Sequence, residues 1–363
     1  MAPKISLKAL NRATLDRQLL LERSTMSPLA AVEHLVGLQA QTTSTWYHGL
    51  WSRLVGFDPR ELSDLLARRE VVRMALMRST IHLVSARDAL FLRPLVQIVS
   101  ERGTASIFGK NLKGLDLDEV LKHGRELLDQ EPMVFSELGR RMAERWDRDP
   151  ASLAQAVRAH VPLVQIPPRG LWGGSGLAKH STVETWLGKA VDENPSVEDM
   201  VLRYLKAFGP ASVRDAQTWS GLTRLNEVFD RLRPQLVTFA DENGRELFDL
   251  PGSPRPDEET PAPPRFLYDF DNLLLSHDDR SRVVTEPARL FNRPVNGLLA
   301  KLFLVDGFTA GQWTIEQDKD TAVLNLKPYR KLTRKEIAAL TKEAKPLFDF
   351  VAPKSARRDL RVV

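Results

Sequence analysis

The feature that most constrains this chain is a pattern that returns three times with different residues: three helices followed by a pair of short strands. The clearest copy runs from 117 to about 176. Leu117, Val120, Leu121, Leu127 and Leu128 fall at helical spacing over 117–129. Residues 132–135 read as a short strand, and Ser136 as the N-cap of a helix over 137–146. Asp149-Pro150 supplies a capping oxygen and a first-turn proline for a helix reaching His160. Residues 163–166 and 171–172 flank Pro167-Pro168-Arg169-Gly170, which reads as the turn of a hairpin.

The same order occupies 196–250, with helices over 197–208, 214–219 and 223–233 and a strand-like 210–213. A hairpin of 236–239 with 246–250 turns at Asp241-Glu242-Asn243-Gly244. It also occupies 14–85. There Ser27-Pro28 and Asp58-Pro59 start helices, Asp58 and Glu61 resemble a capping box, and 71–76 and 80–84 are strands. A long helix over 86–102 joins the first two copies. One such unit is a generic small helical domain. Three in one chain specify tandem winged helix-turn-helix modules. Residues 251–264 carry six prolines and read as an exposed linker. Beyond them 299–305, 309–316 and 321–326 alternate as strands, Asp306-Gly307 is a tight turn, and 333–348 is a helix. The predicted fold class is α+β. Winged-helix modules span 1–85, 86–190 and 191–250, the linker spans 251–264, and an antiparallel β-domain or small barrel with a closing helix and basic tail spans 265–363.

Several function classes drop out on composition. The 363 residues include no cysteine, which excludes disulfides, thiolate catalysis and cysteine metal sites. No run of 18 apolar residues predicts a membrane span, and the N-terminus lacks the apolar core of a secretion signal, so a cytoplasmic protein is expected. The seven histidines show no ligand spacing, and no nucleotide-binding or hydrolase motif occurs, so neither metal nor cofactor is expected. Lys and Arg number 52 against 47 Asp and Glu. This modest excess suits one face that meets a polyanion.

The third helices are poor in groups that read base edges: 149–160 holds only Arg158 and Gln155 of that kind. Cations gather on predicted wings and loops instead: Arg73, Arg78, Arg169, Lys179, Arg280, Arg282, Arg289 and Arg293. Such groups grip phosphates without reading sequence. Thr42 and His82 are further candidate contacts. So is the Asp306-Gly307-Phe308 turn, whose apolar flanks suit a probe of the minor groove, although a hairpin packed inside the β-domain fits the same pattern. One polar cluster stands apart, Leu38-Gln39-Ala40-Gln41 followed by Thr42-Thr43-Ser44. Residues two apart share a face only in extended chain, so Gln39 and Gln41 converge only if the preceding helix has ended near Gln39. On pattern alone, a pair of surface glutamines is the commoner reading.

The chain resembles the AlkZ/YcaQ family of winged-helix DNA glycosylases. The likeness rests on Leu38-Gln39-Ala40-Gln41, on 77–84 (MRSTIHLV), on 270–277 (FDNLLLSH) with Asp279-Arg280-Ser281-Arg282, and on Val305-Asp306-Gly307 with Gly311-Gln312-Trp313. Gln-x-Gln marks the AlkZ branch, whereas YcaQ-like members carry Gln-x-Asp. Met77-Arg78-Ser79 departs from the Arg-Gly-Thr of the family. The resemblance implies a C-shaped fold around a basic channel and catalysis by Gln39 and Gln41. It also implies a monomeric, nucleoid-associated enzyme acting on double-stranded DNA that contains alkylated purines, including cross-links whose unhooking gives antibiotic producers self-resistance. A non-catalytic winged-helix DNA-binding protein is the alternative.

Overall fold

The structure, a computed structural model, describes residues 2–291 and 299–363. Helix α1 (Leu7–Arg17) is followed by α2 (Pro28–His34), β1 (Leu38–Gln39), α3 (Thr45–Trp51), α4 (Pro59–Ala67) and the hairpin of β2 (Val71–Ala75) with β3 (Ile81–Ser85). Ser27 and Asp58 cap α2 and α4 with their side-chain oxygens, each followed by a first-turn proline. Asp58 accepts the Arg60 N–H, one residue short of a capping box with Glu61.

Next come α5 (Ala86–Leu112), α6 (Leu117–Gln130), α7 (Phe135–Ala143), α8 (Pro150–His160), β4 (Leu163–Gln165), β5 (His180–Thr182) and α9 (Val183–Leu187). This region corrects the sequence reading four times. Helix α5 runs on past 102. Val134 rather than Ser136 is the N-cap of α7, and Met133 keeps only an isolated bridge to His180. The partner of β4 is β5, not 171–172. Pro167-Pro168 offers no N–H to a ladder, and Trp172 packs instead on Tyr47 and Phe350, at ring separations of 5.0 and 5.2 Å.

The third copy follows its sequence pattern closely: α10 (Val197–Phe208), α11 (Val213–Ser220), α12 (Asn226–Leu232) and the hairpin of β6 (Val237–Ala240) with β7 (Glu246–Asp249). The strand expected at 210–213 reduces to one bridge from Ala211 to Phe248. The C-terminal part holds β8 (Arg265–Phe266), α13 (Glu286–Phe291), β9 (Leu302–Val305), β10 (Phe308–Asp318), β11 (Thr321–Pro328), α14 (Arg334–Val351) and β12 (Arg357–Val362). The basic tail is therefore not a free end, since β12 pairs parallel with β11. Its charged side chains line an edge strand, where they discourage further pairing.

Among the described residues the strands form two five-stranded sheets, ordered β1-β3-β2-β4-β5 and β12-β11-β10-β9-β8, and the separate β6-β7 pair. The hairpins of the first two copies thus share one sheet, joined where Arg73 and Met74 of β2 face Gln165 and Val164 of β4. A two-stranded ribbon is marginal in water, and this union covers an open edge. The sheet buries Val72, Met74 and Val84 against Leu92 and Val96 of α5 and Met200, Tyr204 and Phe208 of α10. The C-terminal sheet closes its own core of Phe303, Trp313, Leu324 and Leu326 under Leu340 and Leu347 of α14.

The proline-rich 251–264 segment is strapped along α1. Arg12 donates from Nε to the Thr260 carbonyl at 2.7 Å, and Lys8 pairs with Glu259 at 2.8 Å. Beneath it the Arg17 guanidinium meets the Asp249 carboxylate through two buried hydrogen bonds of 2.7 and 2.8 Å, tying α1 to the end of β7.

Candidate active site

Helix α2 stops at His34, and Val36 and Gly37 turn the chain through positive φ values of 54° and 88°. Only glycine suits position 37, because a Cβ there would stand 2.5 Å from Val84 Cγ1. The chain then runs extended as β1, with Leu38 opposite Leu83 and Gln39 opposite His82, and Ala40 donates its N–H to the Ile81 carbonyl at 2.7 Å. Leu38 and Ala40 are fully buried in the core. By the two-residue alternation of extended chain, Gln39 and Gln41 share the opposite face. The helix ends earlier than the sequence required, and that is what brings the pair to one face.

Gln39 is held on two sides. Its Oε1 accepts from Arg78 Nη2 at 2.8 Å, and Arg78 Nη1 also donates to the Trp219 carbonyl at 2.5 Å. Its backbone N–H faces Asn272 Oδ1 at 3.4 Å, while Asn272 Nδ2 donates to the Gly37 carbonyl at 2.6 Å. Gln41 is exposed, with Oε1 3.4 Å from the Ile81 nitrogen. Thr42, next in sequence, donates its hydroxyl to Asp269 Oδ2 at 2.5 Å. Arg73 supports the segment from below by donating to the Ala40 carbonyl at 3.0 Å. One side of the cluster thus comes from the first unit and the other from the segment that follows β8.

Arg78 and Ser79, in the turn between β2 and β3, both take left-handed conformations, with φ of 55° and 58°. Burial, followed by the field of Arg280, pushes the Arg78 guanidinium down to about 10, which leaves it a cation at neutral pH. Burial pushes the Arg73 guanidinium down to about 10 as well, with Arg169 adding to the effect. Arg169 and Arg280 therefore lie close enough to be felt at the two arginines that flank β1. Arg280 and Lys179 are exposed, and Arg169 is half-buried.

Three candidate DNA contacts are instead interior. Arg73 is 2% exposed. His82 is 2% exposed, directs its Nδ1–H at the Thr80 carbonyl 2.9 Å away, and is held neutral down to about 3, chiefly by burial. Arg282 is 4% exposed and donates to the Pro210 carbonyl at 2.8 Å. The Asp306-Gly307 turn is not a free probe either. Asn11 of α1 donates to the Gly307 carbonyl at 2.8 Å, Arg12 donates to the Asp306 carbonyl at 3.0 Å, and the Arg12 guanidinium pairs with the Asp306 carboxylate. Phe308 is half-buried beside them. Arg289 is exposed and paired with Glu286, and Arg293 lies outside the described residues.

The sequence reading missed Asp269 and Asn272 as members of the cluster. Asn272 lies inside a segment that carried the resemblance, and Asp269 is the lone carboxylate in the otherwise apolar 266–270. Two large grooves on the surface, one lined by Trp51, Phe57 and Phe350 and the other by Arg69, Phe91 and Trp186, include neither glutamine. Gln39, Asp269 and Asn272 are buried, and Gln41 is the member of the cluster that opens to solvent.

A family model described as DNA glycosylase AlkZ-like matches residues 32–350. An interstrand DNA cross-link repair glycosylase of Streptomyces sahachiroi is 24% identical over 353 residues, covering 91% of this chain and 92% of that protein. The solved structure of Streptomyces sahachiroi DNA glycosylase AlkZ is similar in fold, with a TM-score of 0.80 at 21% identity over 99% of this chain and 100% of that one.

Proposed function

The chain belongs to the AlkZ-like DNA glycosylase family, and from that premise we propose that it hydrolyses the N-glycosidic bond of N7-alkylated purines in duplex DNA through Gln39 and Gln41. A purine alkylated at N7 is already a cation. When its bond to C1′ breaks, the electron pair passes to the purine and neutralises it, so no strong general acid is needed. What the enzyme must supply is a place for an oxocarbenium-like sugar and a water whose oxygen bonds to C1′ and whose proton leaves to solvent. Amide carbonyls serve both needs: they accept a hydrogen bond from the water and aim partial negative charge at the sugar. Gln39 Oε1 keeps a second lone pair after accepting from Arg78.

The observation that carries the reading is the common face of Gln39 and Gln41 on extended chain, with Gln39 clamped by Arg78 and Gln41 open to solvent. That openness suits bulky adducts and interstrand cross-links, the latter being the lesion named for the Streptomyces relative. If the natural lesion is the product of an antibiotic, the enzyme serves self-resistance. We place the phosphate grip on Arg169 and Arg280, whose fields reach the arginines beside β1, and on exposed Lys179 just before β5.

The test is single-turnover release of 7-methylguanine from duplex DNA, with thermal melts as a folding control. Gln39→Ala and Gln41→Ala should each slow release by roughly 10²–10³, the usual cost of one lost stabilising group. Gln41→Asp should be milder, because an acceptor oxygen remains. Wild-type rates in both alanine variants would leave Gln39 a structural residue and Gln41 an ordinary surface glutamine. Unhooking of a cross-linked duplex, lost in the same variants, tests the wider substrate range.

A further inference from the structure

Among the described residues, buried carboxylates follow one rule with one exception. Asp88, Asp215, Asp241, Asp249 and Asp271 are each at most 5% exposed, and each lies within 4 Å of an arginine: Arg203 at 2.5 Å, Arg282 at 3.8 Å, Arg245 at 2.9 Å, Arg17 at 2.7 Å and Arg53 at 2.6 Å. Asp269 is also 5% exposed, yet among the described residues no cation stands within ion-pair distance of it. Its hydrogen bonds come from neutral donors, the Thr42 hydroxyl at 2.5 Å and the Phe270 N–H at 3.1 Å. Lys301, with its ammonium 4.9 Å from the Trp313 ring centroid, feels the field of Asp269 without pairing to it. A buried charge without a counter-charge is costly, so such a group persists where something else offsets it.

We propose that Asp269 is the fixed negative charge of the glycosylase site, holding the Gln39–Gln41 segment through Thr42 and countering the positive charge of the reacting nucleotide. This deepens the proposed function and rests on its placement of the reaction at the two glutamines. Among the described residues Asp269 has no ion-pair partner, and in this proposal the substrate supplies the counter-charge. The alkylated purine brings a cation, and as the bond to C1′ lengthens that charge moves to the sugar. A carboxylate anchored beside the residue after Gln41 acts on it in a dry setting where charge counts for more than in water. Asp269 forms no bond in the reaction. It is a positioning residue for the loop and a source of field for the sugar. Its location also explains why two neutral amides suffice: they orient the water while the net charge stands behind them.

The experiment compares duplexes with a neutral tetrahydrofuran abasic analogue and with its protonated pyrrolidine counterpart. The wild-type protein should bind the cationic analogue at least about tenfold more tightly, as expected of a site complementary to the transition state. That preference should survive in Gln39→Ala and Gln41→Ala, which keep the carboxylate, and collapse in Asp269→Asn. Asp269→Asn should also slow release of 7-methylguanine about tenfold or more while binding undamaged duplex as well as wild type or better, because a negative charge facing a polyanion has gone. Thr42→Val, which keeps the charge and loses the tether, should slow release less and retain the preference.

A purely structural Asp269 would give slower release in Asp269→Asn with the cationic preference intact, and that result overturns the proposal. A wild-type protein without the preference overturns it even if Asp269→Asn fails to fold. Should the glutamine variants release base at wild-type rates while Asp269→Asn does not, the glutamine reading fails and the charge assignment stands.

Discussion

Arg78 sits where a left-handed backbone and a hydrogen-bonding role meet. Its φ of 55° and ψ of 22° belong to a region that costs a residue with a side chain about 1–2 kcal/mol. Glycine would occupy the same conformation without that penalty. Arginine is retained here with both Nη atoms in use, one on Gln39 and one on the Trp219 carbonyl. Replacement by glycine therefore separates stability from activity. Arg78→Gly should melt within a few degrees of wild type, since relief of strain offsets the lost hydrogen bonds. Its single-turnover base release should fall roughly 10- to 100-fold, because Gln39 is no longer held in place. An unchanged rate would show that the orientation of Gln39 does not depend on the clamp.

Among the elements, the β9–β10 hairpin is where expectation and structure part most clearly. Asp306 and Gly307 both have positive φ, 48° and 80°, the signature of the two-residue turn that matches strand twist. That turn was legible from its Asp-Gly dipeptide. Its environment was not: the tip lies against Asn11 and Arg12 of α1, almost 300 residues away in sequence. A Cβ on Gly307 would stand 2.4 Å from Asn11 Oδ1 and 2.6 Å from Leu15 Cδ1. Gly307→Ala should thus lower the unfolding free energy by about 2 kcal/mol or more, from backbone strain and overpacking together. Measured well below its melting temperature, its affinity for DNA should match wild type. Weakened binding by a fully folded Gly307→Ala would restore the hairpin to the interface.

For the whole molecule, two electrostatic responses follow. His48, His82 and His277 are buried and held neutral down to about 3, and His180 down to about 4, with desolvation the largest cause in each. In the unfolded chain each takes up a proton near pH 6.5. Between that value and the folded ones the unfolded state binds more protons, so stability is lost as pH falls through this window. The loss is about 2 kcal/mol per histidine at pH 5. Melting temperatures should be level from pH 8 to 7 and drop steeply from 6.5 toward 4, and a flat profile to pH 5 would contradict the burial of these rings. The second response concerns DNA. With phosphate contacts assigned to half-buried Arg169 and exposed Lys179 and Arg280 rather than to base edges, affinity should fall steeply with salt and hardly vary with sequence. Binding titrations from 50 to 200 mM salt measure this, and selection of one undamaged palindrome would speak for a sequence reader instead.

What the sequence by itself determined is local. Ser27-Pro28, Asp58-Pro59 and Asp149-Pro150 start helices because a capping oxygen and a preset φ act within one turn, and each does so in the structure. The helix over 197–208 and the hairpin turn at 306–307 were legible for the same reason. Only the tertiary structure decided which charges are interior. Arg73, Arg282 and Arg280 look alike along the chain, yet the first two are buried against carbonyl oxygens while Arg280 faces solvent. Nothing local marks that difference, because it depends on which acceptor the fold brings near. The same holds for the candidate site. The extended run that puts Gln39 and Gln41 on one face needs β3 as its partner, and Asp269 reaches Thr42 across 227 residues of chain. Contacts at that separation leave no periodicity or capping signal in sequence, and they exist only once the two sheets have closed around α3.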